Sequence, residues 1–88
     1  MNKETYGVIT FKSTHHTIQA EGALKELGIT FKTIPTPREI TLSCGLAILF
    51  ALDDLDKIKK MVEDGKIDIA NIHKYIKDGQ HSSVEKIL

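Results

Sequence analysis

Apolar and polar residues alternate from Thr5 to Phe11, with Tyr6, Val8 and Thr10 on one side and Gly7, Ile9 and Phe11 on the other. A period of two predicts a strand. The period then lengthens. Ala20, Ala23, Leu24 and Leu27 recur at the i, i+3, i+4, i+7 spacing of one helix face, behind Ser13 or Thr14, either of which can cap the helix. Gly28 suits the stop, because glycine takes the left-handed conformation that follows a helix end. ITFKTI, Ile29 to Ile34, predicts a second strand, ended by Pro35 and Pro37, which lack the backbone N–H a ladder needs.

After a loop, GLAILFA from Gly45 to Ala51 is a continuous apolar run of strand length, as expected of a central strand. Asp53 is expected to cap the next helix, with Asp54 and Asp56 in its positive first turn. Leu52, Leu55, Ile58, Met61 and Val62 form its apolar stripe, Lys57, Lys59, Lys60 and Glu63 its solvated side, and Gly65 its end. KIDIANIHKYI, residues 66–76, reads two ways. Ile67 and Ile69 alternate as in a strand, whereas Ile69, Ile72, His73 and Ile76 fit one face of a helix; a fourth strand is favoured. Gly79 to Leu88 is mostly polar, with SSVEKIL able to form a short helical turn at most, so a mobile tail is expected there.

The order strand, helix, strand, strand, helix, strand predicts an α+β fold, a ferredoxin-like βαββαβ sandwich with an antiparallel sheet and two helices on one face. With 88 residues the chain has material for one core and not two, so residues 1–78 are read as a single domain and 79–88 as its tail. In that topology the third strand lies between the first two and opposes both. Ser13 to His16 and Arg38 to Gly45 are then expected to meet at one rim.

Composition narrows the function. Lys plus Arg equals Asp plus Glu at 12 each, so no net positive field draws in a phosphate backbone and nucleic acid is not an expected partner. No run approaches the roughly 20 apolar residues that cross a bilayer, and MNKETYG is unlike a signal peptide, so a cytoplasmic protein without membrane association is expected. GxGxxG, GxxxxGK[ST], CxxC and GxSxG strings are missing, which disfavours a cofactor and a familiar self-contained enzyme. His15 and His16 are adjacent and diverge by about 100° on a helix, and His73 and His81 have no companion at a ligand spacing. No metal site is expected, and His73 and His81 are read as solvent residues.

The single cysteine, Cys44, cannot form an internal disulfide; it is a packed thiol, a reactive thiol or half of an intermolecular bridge. A thiolate is favoured where helix amides or cations lie close. The amides of Thr14, His15 and His16 are expected to face the rim, with Arg38, His15 or His16 adding positive charge, Gly45 leaving room beside the sulfur, and Pro35 and Pro37 stiffening the loop. The plainer readings stand beside these: Cys44 as a small buried hydrophobe, the histidines as surface or capping residues, and Arg38 with Glu39 as an exposed ion pair.

The strings PTPREI, Pro35 to Ile40, and SCG, Ser43 to Gly45, with the Ser13–Thr14 start of the first helix, resemble a small bacterial family described as selenium or sulfur carrier protein-like, over roughly Thr5 to Val62. The resemblance implies a cytoplasmic carrier in which Cys44 holds sulfur or selenium as a persulfide or selenopersulfide, supported by Ser13, Thr14, His15, Arg38, Ser43 and Gly45. It implies donor and acceptor proteins as partners. Two other readings remain: a binding or regulatory module whose 35–45 loop holds a small anion or a partner peptide, and a homodimer pairing through an exposed sheet edge.

Overall fold

A computed structural model describes residues 3–36, 40 and 45–87, with Lys3 described by its backbone alone. The chain runs β1 (Lys3–Thr10), α1 (Thr14–Glu26), β2 (Phe31–Pro35), β3 (Leu46–Phe50), a 3-10 turn (Leu52–Asp54), α2 (Leu55–Glu63), β4 (Asn71–Asp78) and β5 (His81–Lys86). The fold is α+β. Residues 66–76, which the sequence left between strand and helix, enter β4 at Asn71.

Both helices end as their glycines dictate. Gly28 has φ 71 and Gly65 φ 74. At α1, Gly28 N–H donates to Lys25 O and Ile29 N–H to Leu24 O; at α2, Gly65 N–H donates to Val62 O and Lys66 N–H to Met61 O. This is the paired Schellman closure, which satisfies the last carbonyls and folds the following residue back over the helix. It also corrects one expected core residue. Leu27 is the C-cap of α1 and 51% exposed, while Ile29, returned by the turn onto Leu24, is buried in its place. The start of α2 differs as well. Asp53 is exposed and outside the helix, because Leu52–Asp54 form a 3-10 turn and Asp54 becomes the N-cap residue, with φ −95 and ψ 5 and no side-chain cap bond.

All strands pair antiparallel, in the order β2-β3-β1-β4-β5. β3 lies between β1 and β2, opposing both. Ile9 sits between Ile48 and Ile72, and these meet Ala20 and Leu24 of α1 and Ile58 and Met61 of α2 in the larger core. Both helices therefore cover one face. The cross-strand partner of Gly7 is Phe50, whose ring occupies the space a Cβ at Gly7 would need. Glycine in this strand permits a close approach of a large aromatic side chain.

Among the described residues the sheet has five strands where the sequence suggested four. Gly79, at φ 63, reverses the chain, and residues 81–86 of the expected tail pair with β4 as an edge strand. Ile87 N–H then donates to Ile72 O at 2.8 Å, and the Ile87 side chain packs on the core. HSSVEK gives almost no apolar alternation because only Val84, opposite Tyr75, meets a covered surface.

Candidate functional site

Strand pairing brings three chain segments to one rim. Thr10, the last residue of β1, pairs with Ala47 of β3 and with Asn71 of β4, while Pro35 at the end of β2 pairs with Leu46. The end of β1, from which the chain leads into α1, the entries to β3 and β4 and the end of β2 therefore share one end of the sheet. Thr36 N–H donates to Gly45 O at 2.9 Å, closing the base of the 36–45 connection.

At the helix start, Ser13 is in extended conformation and its Oγ accepts from His16 N–H at 3.4 Å. The same Oγ lies 3.1 Å from His16 Nδ1, and His16 Nε2 lies 3.8 Å from Asp68 Oδ2. The separation from Asp68 is too long for a hydrogen bond. Thr17, fully buried, uses both its N–H and its hydroxyl on Ser13 O. His16 thus stands between Ser13 of the helix start and Asp68 of the segment before β4. His15 is exposed and 3.3 Å from Gln19 across one helical turn, and the two histidine rings stand 6.2 Å apart at 54°. They diverge as adjacent helical residues must.

The first turn of α1 carries no acidic side chain, so nothing on the helix itself offsets the positive end of its dipole. Lys12 adds an exposed cation just before it, which the sequence reading passed over. Among the sequence-derived site residues, Ser13, Thr14, His15 and Gly45 are described, and the first three stand together at the helix start. Gly45 is exposed, and a Cβ there would meet nothing within 4 Å. Arg38, Ser43 and Cys44 lie outside the described residues, as does Pro37.

Ile40 was not singled out by the sequence. It is 8% exposed and packs with Val8 and Ala47, bordered by Ile34, Leu49, Tyr75 and Val84, on the sheet face away from the helices. Ile40 thereby joins a second, smaller core on that face. The available signal was a lone isoleucine within TPREIT. On the same face His73, opposite Val8 and Lys86, corrects the solvent reading: it is half-buried, and its Nδ1 is enclosed with no hydrogen-bond partner among the described residues. Burial, with a lesser contribution from Lys86, pushes its pKa below the ordinary 6.5.

No group of three or more His, Cys, Asp or Glu side chains that could hold a metal occurs among the described residues, and no helix among them is long and apolar enough to cross a membrane. Residues 6–74 match the model of the family described as "Putative Se/S carrier protein-like". No curated protein and no solved structure matches the chain significantly.

Proposed function

We propose that this chain, which belongs to the Se/S carrier protein-like family, carries sulfur or selenium on Cys44 as a persulfide or selenopersulfide and passes it between partner proteins. In this reading the Cys44 thiolate attacks the terminal sulfur of a donor protein's persulfide. The new S–S bond forms as the donor's own S–S bond breaks, the donor cysteine leaves as thiolate, and Cys44 keeps the terminal sulfur with no net oxidation. Selenium follows the same displacement. Release reverses it, with an acceptor thiolate attacking the carried atom.

The observation that carries the reading is the rim itself. A helix N-terminus whose own first turn carries no acidic side chain, with Lys12 before it and the solvent-exposed Asp68 as its nearby carboxylate, follows the end of β1, which pairs with the start of β3 just after Cys44 and Gly45 in sequence. Such a field favours thiolate over thiol and stabilises the thiolate left behind after transfer. Exposed Gly45 supports close docking by a donor or acceptor. We read the βαββαβ run through β4 as ferredoxin-like, with β5 as an addition, and assign the protein to a reducing cytoplasm, where a lone thiol stays unpaired. Arg38 and Ser43 complete the proposed set, Arg38 as a second cation.

Alkylation tests the chemistry. Iodoacetamide should modify Cys44 in the folded protein at neutral pH faster than it modifies free cysteine, with the rate falling at a pH below that of the free thiol. If the folded protein resists alkylation, the loop is better explained as a binding module over a packed thiol.

A further inference from the structure

On the helical side of the molecule, away from the Ile40 face, a groove of about 310 Å³ is lined by Leu27, Lys57, Lys60, Met61, Asp64 and Lys66. Its apolar part is Leu27, left 51% exposed at the C-cap of α1, and the edge of Met61, a buried and adaptable side chain. Lys57, Lys60 and Asp64 follow one another at the i, i+3, i+7 spacing of one face of α2 and its cap. Lys66 is brought beside Met61 by the Schellman turn, its N–H on Met61 O at 2.9 Å. Three lysines thus surround an apolar patch. Only Asp64 opposes them in the lining, and Asp54, 3.8 Å from Lys57, leaves that side chain 66% exposed. Such a surface pair contributes little and is readily exchanged for another carboxylate.

We infer that this groove is a docking site for a short acidic segment of a partner protein, one apolar side chain seated against Leu27 and Met61 with carboxylates to either side on Lys57, Lys60 and Lys66. The apolar wall distinguishes this occupant from a nucleic acid or a free anion, which would gain nothing from Leu27. The volume admits one or two side chains, so the contact is small, and the lysines act mainly on encounter and register. This site does not depend on Cys44 chemistry and stands if the carrier reading fails.

The test is a nitrogen-15 NMR titration of the full chain with the peptide acetyl-EELEE-amide. Saturable shifts are expected at the amides of Leu27, Lys60, Met61 and Lys66. Replacing the peptide's leucine by serine should weaken binding at least fivefold, as should Leu27→Ser in the protein, a change at an exposed position. The K57Q/K60Q/K66Q variant should weaken it at least tenfold while its free spectrum remains that of the folded protein. The inference is overturned if EELEE gives no saturable shift or if the serine peptide binds equally. It is equally overturned if a single-stranded oligonucleotide, anionic vesicles or self-association perturbs the same amides more strongly than EELEE does.

Discussion

Replacing Ile40 by alanine isolates the contribution of its side chain to the second, smaller core. Ile40 is 8% exposed and packs on Val8 and Ala47, both fully buried. The change removes three side-chain carbons from contact, at about 0.8 kcal/mol for each buried methylene. A cavity term adds to this in rigid cores, but a surface connection can settle partway into the gap. The expected loss is therefore about 2–3 kcal/mol, or about 10–20 °C in Tm for a domain of this size. Urea unfolding measures it, with an unchanged slope showing that the unfolded state is the same. Ile18→Ala is the control, because Ile18 is 60% exposed and its truncation should move stability by no more than about 0.5 kcal/mol. An Ile40→Ala cost no greater than that of Ile18→Ala would contradict the packing of Ile40 on Val8 and Ala47.

Two further outcomes follow from the sheet. Gly7→Ala drives a methyl group into the Phe50 ring and should cost about 1–3 kcal/mol by urea unfolding, with the additional change Phe50→Leu restoring part of the loss; no recovery would deny the close pairing. His73, its pKa held below 6.5 in the fold, binds a proton more readily in the unfolded chain, so its contribution is present above about pH 6.5 and is lost as pH falls through the lower folded pKa. Thermal melts of wild type and His73→Gln between pH 5 and 8 should show the wild type losing more stability on acidification, by an uptake of at most one proton; parallel curves would contradict the burial of Nδ1.

Much of the fold was legible because the chain states it twice, in period and in punctuation. Val8 and Ile9 alternate between two covered faces, Ala20 and Leu24 mark the buried side of α1, and Gly28 and Gly65 stop the helices where the left-handed turn falls. The errors share a cause: an apolar stripe does not show where a turn ends it. Leu27 fits the spacing but stands beyond the last helical turn, and Ile29 takes its place. β5 is hidden because an edge strand facing water needs little apolar alternation. At the rim, the capping role of Ser13 could be read from residue type, whereas its grouping with His16 and Asp68 joins residues 55 positions apart and depends on how β4 enters the sheet. Ile40 and His73 were missed for a related reason. Each lies on the sheet face that no helix covers, where the sequence gives no second periodic element to announce a core.

The carrier account rests most directly on whether Cys44 accepts a chalcogen atom. The measurement is intact-protein mass spectrometry after incubation with a cysteine desulfurase and cysteine, followed by peptide mapping. The account predicts one added sulfur, confined to the peptide containing Cys44, removed by a thiol reductant and absent from Cys44→Ser. A protein that stays at its unmodified mass with several desulfurases, while its Cys44 remains open to alkylation, would contradict it.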